Sequence, residues 1–187
     1  VTVFFVGRDD KPNNYSYAVT AKHVINGIKS KGLTEVFLRI NLKNNTSGLF
    51  KSSVNDWLYH DDINVDIAVL PIGLQENFDH LLYPITRTMT GTVIRENEID
   101  VGEEVFVTGL FSHHHGQQTN IPIVRVGNIS AMPEEKIQTK EHLMDAYLIE
   151  ARSIGGLSGS PVFVNLGSIR IIDGKLRISH SGNMDFL

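Results

Sequence analysis

A serine framed by glycines is the sharpest chemical feature of this sequence. Residues 155–161 read GGLSGSP. Glycines let the backbone turn tightly and leave the Ser158 hydroxyl exposed, while peptide N–H groups are freed to point toward the same space. The N–H groups of Gly156 and Ser158 would form an oxyanion hole for a tetrahedral intermediate. The same letters also occur in ordinary turns, so Ser158 is a candidate nucleophile only if a base accompanies it.

His23 is the histidine whose surroundings suit a catalytic base. It follows an apolar stretch at 17–19 and the small pair Thr20-Ala21, and it precedes Val24-Ile25. These neighbours would pack one side of the imidazole and leave the other side open. Four other histidines lie in polar sequence and are interpreted as surface residues: His60, His80, His142 and His180.

An imidazole base needs a hydrogen-bond acceptor that fixes its tautomer, and Asp66 is the candidate. It stands at the head of the apolar stretch 66–72, where a carboxylate without a partner would be costly. Asp61 and Asp62 lie in a polar turn and are expected to be solvated. The three residues follow the chain in the order His23, Asp66, Ser158.

The elements expected to position these residues are short strands. Runs rich in Val, Ile, Phe and Tyr alternate with polar turns, a pattern typical of an all-β fold, and no segment sustains helical periodicity for three turns. The runs span residues 2–6, 16–20, 35–40, 65–72, 104–109, 121–126, 145–151 and 160–164. The polar stretch 75–91 separates two groups of strands, so we predict an N-terminal lobe at 1–78, a connection at 79–91 and a C-terminal lobe at 92–187.

Composition narrows the possible functions. The chain has 187 residues and no cysteine, which excludes a cysteine nucleophile, thiolate metal sites and disulfides. The net charge is −4 and the basic residues are scattered, so neither nucleic acid nor an anionic membrane is an expected partner. No apolar run is long enough for membrane insertion. No targeting signal is visible, which leaves the compartment open between bacterial cytoplasm and cell envelope.

Two other chemical interpretations are weaker. The triplet His113-His114-His115 suggests a metal, but adjacent residues of an extended chain point to opposite faces, so we expect an exposed loop and no metal site. Ser158, Asp173 and His180 have the residue order of an α/β-hydrolase. The serine motif lacks the second glycine of Gly-x-Ser-x-Gly, and the few residues that follow cannot hold the strand–helix units of that fold.

Three motifs in chain order resemble those of trypsin-like serine proteases of the chymotrypsin fold: TAKH at 20–23, DIAV at 66–69 and GLSGSP at 156–161. The bacterial branch, with HtrA-type and glutamyl-endopeptidase-type members, is the most similar. Residues 101–109 and 126–130 also resemble strands of the family's second barrel. The resemblance implies two perpendicular six-stranded β-barrels with the active site in the cleft between them.

The resemblance also implies a function, a serine endopeptidase acting on a peptide or protein substrate without a cofactor. Ser158 would be the nucleophile, His23 the base and Asp66 the residue that orients it, with Gly156 and Ser158 supplying the oxyanion hole. The alternative is a protease-fold domain that binds peptides or proteins without useful hydrolysis.

The sequence departs from the family pattern at three places. Leu157 replaces an aspartate that pairs with a newly cut N-terminus in some members, so that zymogen switch is not expected. The final strands are expected to be missing after Leu187, in a chain that is part of a larger polypeptide. Arg152 stands six residues before the nucleophile, where the family places the floor of the primary specificity pocket. A buried Arg152 would favour acidic substrates, whereas a solvent-facing Arg152 would have no such role.

Overall fold

The computed structural model describes residues 1–8, 15–138, 143–152, 155–178 and 184–186. Strands dominate this part of the chain, which confirms the predicted all-β class. The strands are β1 (Phe4–Arg8), β2 (Tyr15–Thr20), β3 (Glu35–Asn41), β4 (Ser47–Ser53), β5 (Leu58–Tyr59), β6 (Ala68–Pro71), β7 (Tyr83–Pro84), β8 (Glu104–Leu110), β9 (Pro122–Ala131), β10 (Ile137–Gln138), β11 (Leu143–Met144), β12 (Leu148–Ala151), β13 (Val162–Asn165), β14 (Ile169–Ile172), β15 (Lys175–Ile178) and β16 (Met184–Phe186). The helices are α1 (Lys22–Lys29) and α2 (Gly91–Glu96), with 3₁₀ turns at Val54–Asp56 and Ile85–Arg87.

The chain divides into two compact units, neither of which is one continuous stretch. The first consists of Val1–Thr86, Gly109–Ile123 and Ile154–Ser160. The second consists of Arg87–Thr108, Val124–Ser153 and Pro161–Leu187. The chain therefore first changes unit inside the predicted connection 79–91 and then crosses between units four more times. The segment that carries Ser158 belongs to the same unit as His23 and Asp66.

The first unit contains a five-stranded sheet in the order β5-β6-β2-β1-β7 and a separate hairpin of β3 and β4. Strand β3 alternates strictly, burying Val36, Leu38 and Ile40 on one face. These side chains join a core that includes Trp57, whose indole N–H donates a hydrogen bond to the Ser52 hydroxyl at 3.2 Å. Helix α1 and the surrounding strands pack against this core.

The second unit contains a five-stranded sheet in the order β12-β9-β8-β13-β16, together with the hairpins β10–β11 and β14–β15. Its core is centred on Val105, Ile129 and Val164, which are at most 1% exposed. In the described residues neither sheet closes on itself.

The structure differs from the predicted elements around His23. The sequence predicts a strand that ends at Thr20 and no helix after it, whereas residues 22–29 form α1. The helix is too short for its periodicity to stand out, and its N-cap Ala21 offers no side-chain cap that would mark the start. It is held by tertiary packing instead, since Ile25 is buried in the core with Val24 and Ile28 against it.

The strand predicted at 65–72 is also shorter than expected. It begins at Ala68, so Asp66 lies in the loop that leads into β6 and not on the strand itself. None of the helices in the described ranges combines the length and the apolar character needed to cross a bilayer.

Candidate active site

Asp66 holds His23 through both of its carboxylate oxygens. The Nδ1 atom of His23 lies 2.6 Å from Oδ2 of Asp66, and the backbone N–H of His23 donates to Oδ1 at 2.8 Å. Two contacts fix the ring more firmly than one, and they commit Nδ1 to the carboxylate. The Nε2 atom is then the ring nitrogen that remains to accept a proton. The His23 side chain is 53% exposed, so a substrate could reach it.

The pairing of two strands brings His23 and Asp66 together. Strands β2 and β6 are antiparallel, and Thr20 at the end of β2 pairs with Ala68 at the start of β6. Residues just after β2 therefore meet residues just before β6. A further hydrogen bond from the Lys22 N–H to the Asp66 carbonyl, at 3.3 Å, joins the start of α1 to this loop.

The segment that carries Ser158 lies against the same end of β2. A Cβ on Gly159 would collide with the Thr20 hydroxyl oxygen and the Thr2 carbonyl oxygen, and it would lie 3.2 Å from the backbone nitrogen of Ala21. Gly159 also has a φ of +82°, which disfavours other residues. Glycine is thus required both for the turn and for the close approach. The residue after Ser158 touches the pair Thr20-Ala21 that comes just before α1 and His23.

The Ser158 side of the site is open. Ser158 is exposed, and the turn behind it is closed by the Ser160 N–H, which donates to the Leu157 carbonyl at 2.8 Å. Within the described residues, no hydrogen bond joins the Ser158 hydroxyl to the His23 ring. Such bonds are often long in ligand-free enzymes and tighten when substrate binds.

The two N–H groups predicted for an oxyanion hole have no hydrogen-bond acceptor in the described part of the chain. Neither the Gly156 N–H nor the Ser158 N–H donates to another described residue. Gly156 has a φ of +110°, and a Cβ there would collide with the Leu110 carbonyl oxygen. The tight glycine predicted before the nucleophile is therefore required by the local packing. Both N–H groups are available to a ligand oxygen.

The other candidate residues are exposed or belong to turns. Arg152, directly after β12, is exposed. Asp61 is exposed, and the Asp62 carboxylate accepts a hydrogen bond from the Asn64 N–H at 2.9 Å, which supports the turn. His60 supports the same turn, since its Nδ1 accepts a hydrogen bond from the Asp62 N–H at 3.0 Å.

The remaining histidines form no second site in the described residues. His113 packs on the Phe111 ring, with 5.4 Å between ring centroids, and all three residues of the histidine triplet are exposed. His80 packs edge-on against Phe5. His142 and His180, the second of which belongs to the α/β-hydrolase set of residues, lie outside the described residues. In the ranges that the structure describes, no three potential metal-binding side chains cluster closely enough to hold an ion.

Sequence reasoning missed Thr2. It was assigned to an ordinary strand at 2–6, yet it lies just before β1 and binds the serine segment with both its backbone and its side chain. No local signal marks this residue, because a threonine beside Val1 and Val3 is unremarkable in a β-protein.

Comparison with known proteins finds similarity to solved structures. No protein-family model matches the chain, and no curated protein matches it. Among solved structures it is similar to the MamO protease domain from Magnetospirillum magneticum in its apo form, with 14% sequence identity and a TM-score of 0.49. The alignment covers 99% of this chain and 88% of that one. The similar structure is a protease domain, and it does not single out the HtrA-type or glutamyl-endopeptidase-type branch. At this identity and TM-score, function has to be argued from this chain's own residues.

Proposed function

We propose that this chain is a serine endopeptidase in which His23, Asp66 and Ser158 form the catalytic triad. The observation that carries the proposal is the double contact of the Asp66 carboxylate with the ring and the backbone N–H of His23. A histidine held in this way has one tautomer and one orientation, which a general base needs and a surface histidine does not. The Gly159 contact with Thr20 adds support, because it brings the chain next to Ser158 close to the chain that leads into His23.

The proposed reaction uses only groups of this chain and a water molecule. Ser158 Oγ forms a bond to the carbonyl carbon of a peptide, while its proton passes to Nε2 of His23. Asp66 stabilises the resulting imidazolium through Nδ1, and the N–H groups of Gly156 and Ser158 donate to the oxyanion. Collapse of the tetrahedral intermediate breaks the C–N bond, and the leaving amine takes the proton from His23. Water then attacks the acyl-enzyme by the same steps and restores the serine.

The experiment is labelling with a fluorophosphonate, which reacts with an activated serine. The folded chain should be labelled, and mass spectrometry should place the adduct on the peptide that contains Ser158. Ser158→Ala should abolish labelling, and His23→Ala should lower its rate by at least about 10³-fold because the base is lost. Ser30→Ala is the matched control, since Ser30 lies in the same unit and its hydroxyl only caps the Gly27 carbonyl.

Absence of labelling in the folded chain would contradict the proposal. That result would favour the alternative, a protease-fold domain that binds peptides or proteins without hydrolysis. A folded state is established in the same samples by circular dichroism and by a cooperative denaturation curve.

The proposal assigns no substrate preference to Arg152. Its side chain is exposed, which is the solvent-facing alternative, and only a buried guanidinium would favour an acidic substrate side chain.

A further inference from the structure

Thr2 uses all of its polar groups at the serine segment. Its N–H donates to the Ser158 carbonyl at 2.9 Å, and its hydroxyl donates to the Gly156 carbonyl at 3.1 Å. The same hydroxyl oxygen accepts a hydrogen bond from the Leu110 N–H at 3.1 Å. The Thr2 carbonyl accepts from the Thr20 hydroxyl at 2.8 Å. A residue that is 7% exposed and forms four hydrogen bonds is fixed in place.

The two carbonyls that Thr2 holds flank the Ser158 N–H. The Gly156 carbonyl belongs to the peptide group before the Leu157–Ser158 peptide, and the Ser158 carbonyl belongs to the peptide group after it. A peptide plane whose carbonyl is tethered cannot rotate freely, because its C=O and N–H turn together. The Leu157–Ser158 peptide is itself restrained, because its carbonyl accepts from the Ser160 N–H at 2.8 Å. Thr2 adds a restraint on the peptide group on each side, so the direction of the Ser158 N–H depends on Thr2 and on the Ser160 bond together.

Thr2 also ties the serine segment to the chain that leads into α1. Thr20 donates its hydroxyl to the Thr2 carbonyl, and the backbone of Gly159 lies against both of these groups. Thr20 is 3% exposed and lies three residues before His23. Thr2 is thus hydrogen-bonded both to the segment that carries Ser158 and to Thr20, which precedes His23.

We infer that Thr2 is a positioning residue, which holds the Ser158 N–H in a direction suited to an oxyanion and fixes the serine segment beside the His23 segment. The inference rests on the proposed peptidase function. Threonine suits the position because one hydroxyl donates to Gly156 and accepts from Leu110 at the same time. Valine has nearly the same shape but leaves both backbone groups unpaired, whereas serine keeps both hydrogen bonds.

The experiment compares Thr2→Val, Thr2→Ser and the control Ser16→Ala. Ser16 also donates its hydroxyl to a backbone carbonyl in the first unit, that of Ile72, away from the serine segment. Thr2→Val should lower kcat and the fluorophosphonate labelling rate by about 10- to 100-fold, because loss of a well-placed oxyanion donor costs about 10² to 10³. KM should stay within about twofold, since the interaction acts mainly in the transition state. Thr2→Ser should restore at least about a third of the parent rate, and Ser16→Ala should match the parent.

The outcomes separate this inference from the function on which it rests. A parent chain that is folded but not labelled overturns the proposed function. A labelled parent chain with an unchanged rate in Thr2→Val overturns the Thr2 inference alone. Equal falls in rate for Thr2→Val and Ser16→Ala, each in step with a lower melting temperature, would show a purely structural role and overturn it as well.

A second variant covers the case in which Thr2→Val does not fold. Thr20→Ala removes the hydroxyl that donates to the Thr2 carbonyl without placing a larger group against Gly159. It should lower kcat by about three- to tenfold with KM unchanged, a smaller effect because the bonds to Gly156 and Ser158 remain. A Thr20→Ala chain as active as the parent would overturn the inference.

Discussion

The backbone of Gly159 lies directly against the side chain of Thr20, with no room between them for even a methyl group. This contact determines how near the serine segment comes to the chain ahead of His23. Only glycine fits at position 159, because any larger side chain would collide with Thr20.

Gly159→Ala should therefore impair both stability and activity. The added methyl meets backbone and side-chain oxygen atoms, and alanine is strained at a φ of +82°. The strain alone costs about 1–2 kcal/mol, and the collision should add to it. Gly167→Ala is the control, since Gly167 has a φ of +64° with open space around it. Chemical denaturation should give a clearly larger loss for Gly159→Ala, and equal losses would show that the close approach has no energetic importance.

Asp66→Asn tests the orientation of the proposed base. The amide can still hydrogen bond to His23, but its N–H₂ group favours the wrong ring tautomer and it cannot stabilise an imidazolium. We expect kcat to fall by about 10⁴-fold with little change in stability. Asp61→Asn, which changes an exposed carboxylate in the preceding loop, should leave peptide hydrolysis at the parent rate. A fall of less than tenfold for Asp66→Asn would argue against the triad.

Ile25→Ala tests whether packing holds the helix that carries His23. Ile25 is 1% exposed, and truncating a fully buried isoleucine to alanine costs about 2–5 kcal/mol. Helix α1 has no side-chain cap, so little else would compensate. The free energy of unfolding, measured with urea, should fall within that range, whereas Ile63→Ala at a 75% exposed site should change it by less than about 0.5 kcal/mol. Similar values for the two variants would show that α1 does not depend on this contact.

Arg170→Lys tests the attachment of the β14–β15 hairpin to the rest of its unit. The Nη2 atom of Arg170 donates to the Asn97 carbonyl at 2.8 Å and to the Glu103 carboxylate at 2.5 Å. The Arg170 side chain is only 17% exposed and that of Glu103 only 23%. A lysine side chain is one bond shorter, so its ammonium does not reach the position of Nη2, and we expect a loss of about 1–3 kcal/mol.

The matched control is Arg177→Lys. Arg177 is the cross-strand partner of Arg170 on β15 and is exposed. Its replacement should be neutral in the same thermal unfolding measurement. A neutral result for Arg170→Lys as well would mean that the hairpin is held by other contacts.

Strands with a clear apolar pattern could be predicted from sequence because that pattern is local, whereas β4 lies in none of the predicted runs. Val36, Leu38 and Ile40 alternate with polar or exposed neighbours, and β3 buries these three residues. Asp66 could be singled out because a carboxylate beside an apolar stretch needs a partner, and the structure gives it the His23 ring. Whether that pair acts in catalysis stays a prediction.

Other features depend on contacts between distant parts of the chain and leave no local trace. Helix α1 is stabilised by the core under Ile25, not by its own length or caps. The return of residues 154–160 to the first unit depends on packing around Gly159, which a single sequence does not reveal. The bonds of Thr2 are the clearest case, because nothing near residue 2 indicates its partners.

The hydroxyl bond from Thr2 to Gly156 joins residues 154 positions apart in the chain. During synthesis, residues 2, 23 and 66 leave the ribosome long before the serine segment exists. The first unit therefore cannot be completed until nearly the whole described chain has been translated. For a protein proposed to cut peptide bonds, this order means that the proposed nucleophile can meet its base only after residue 158 has been translated.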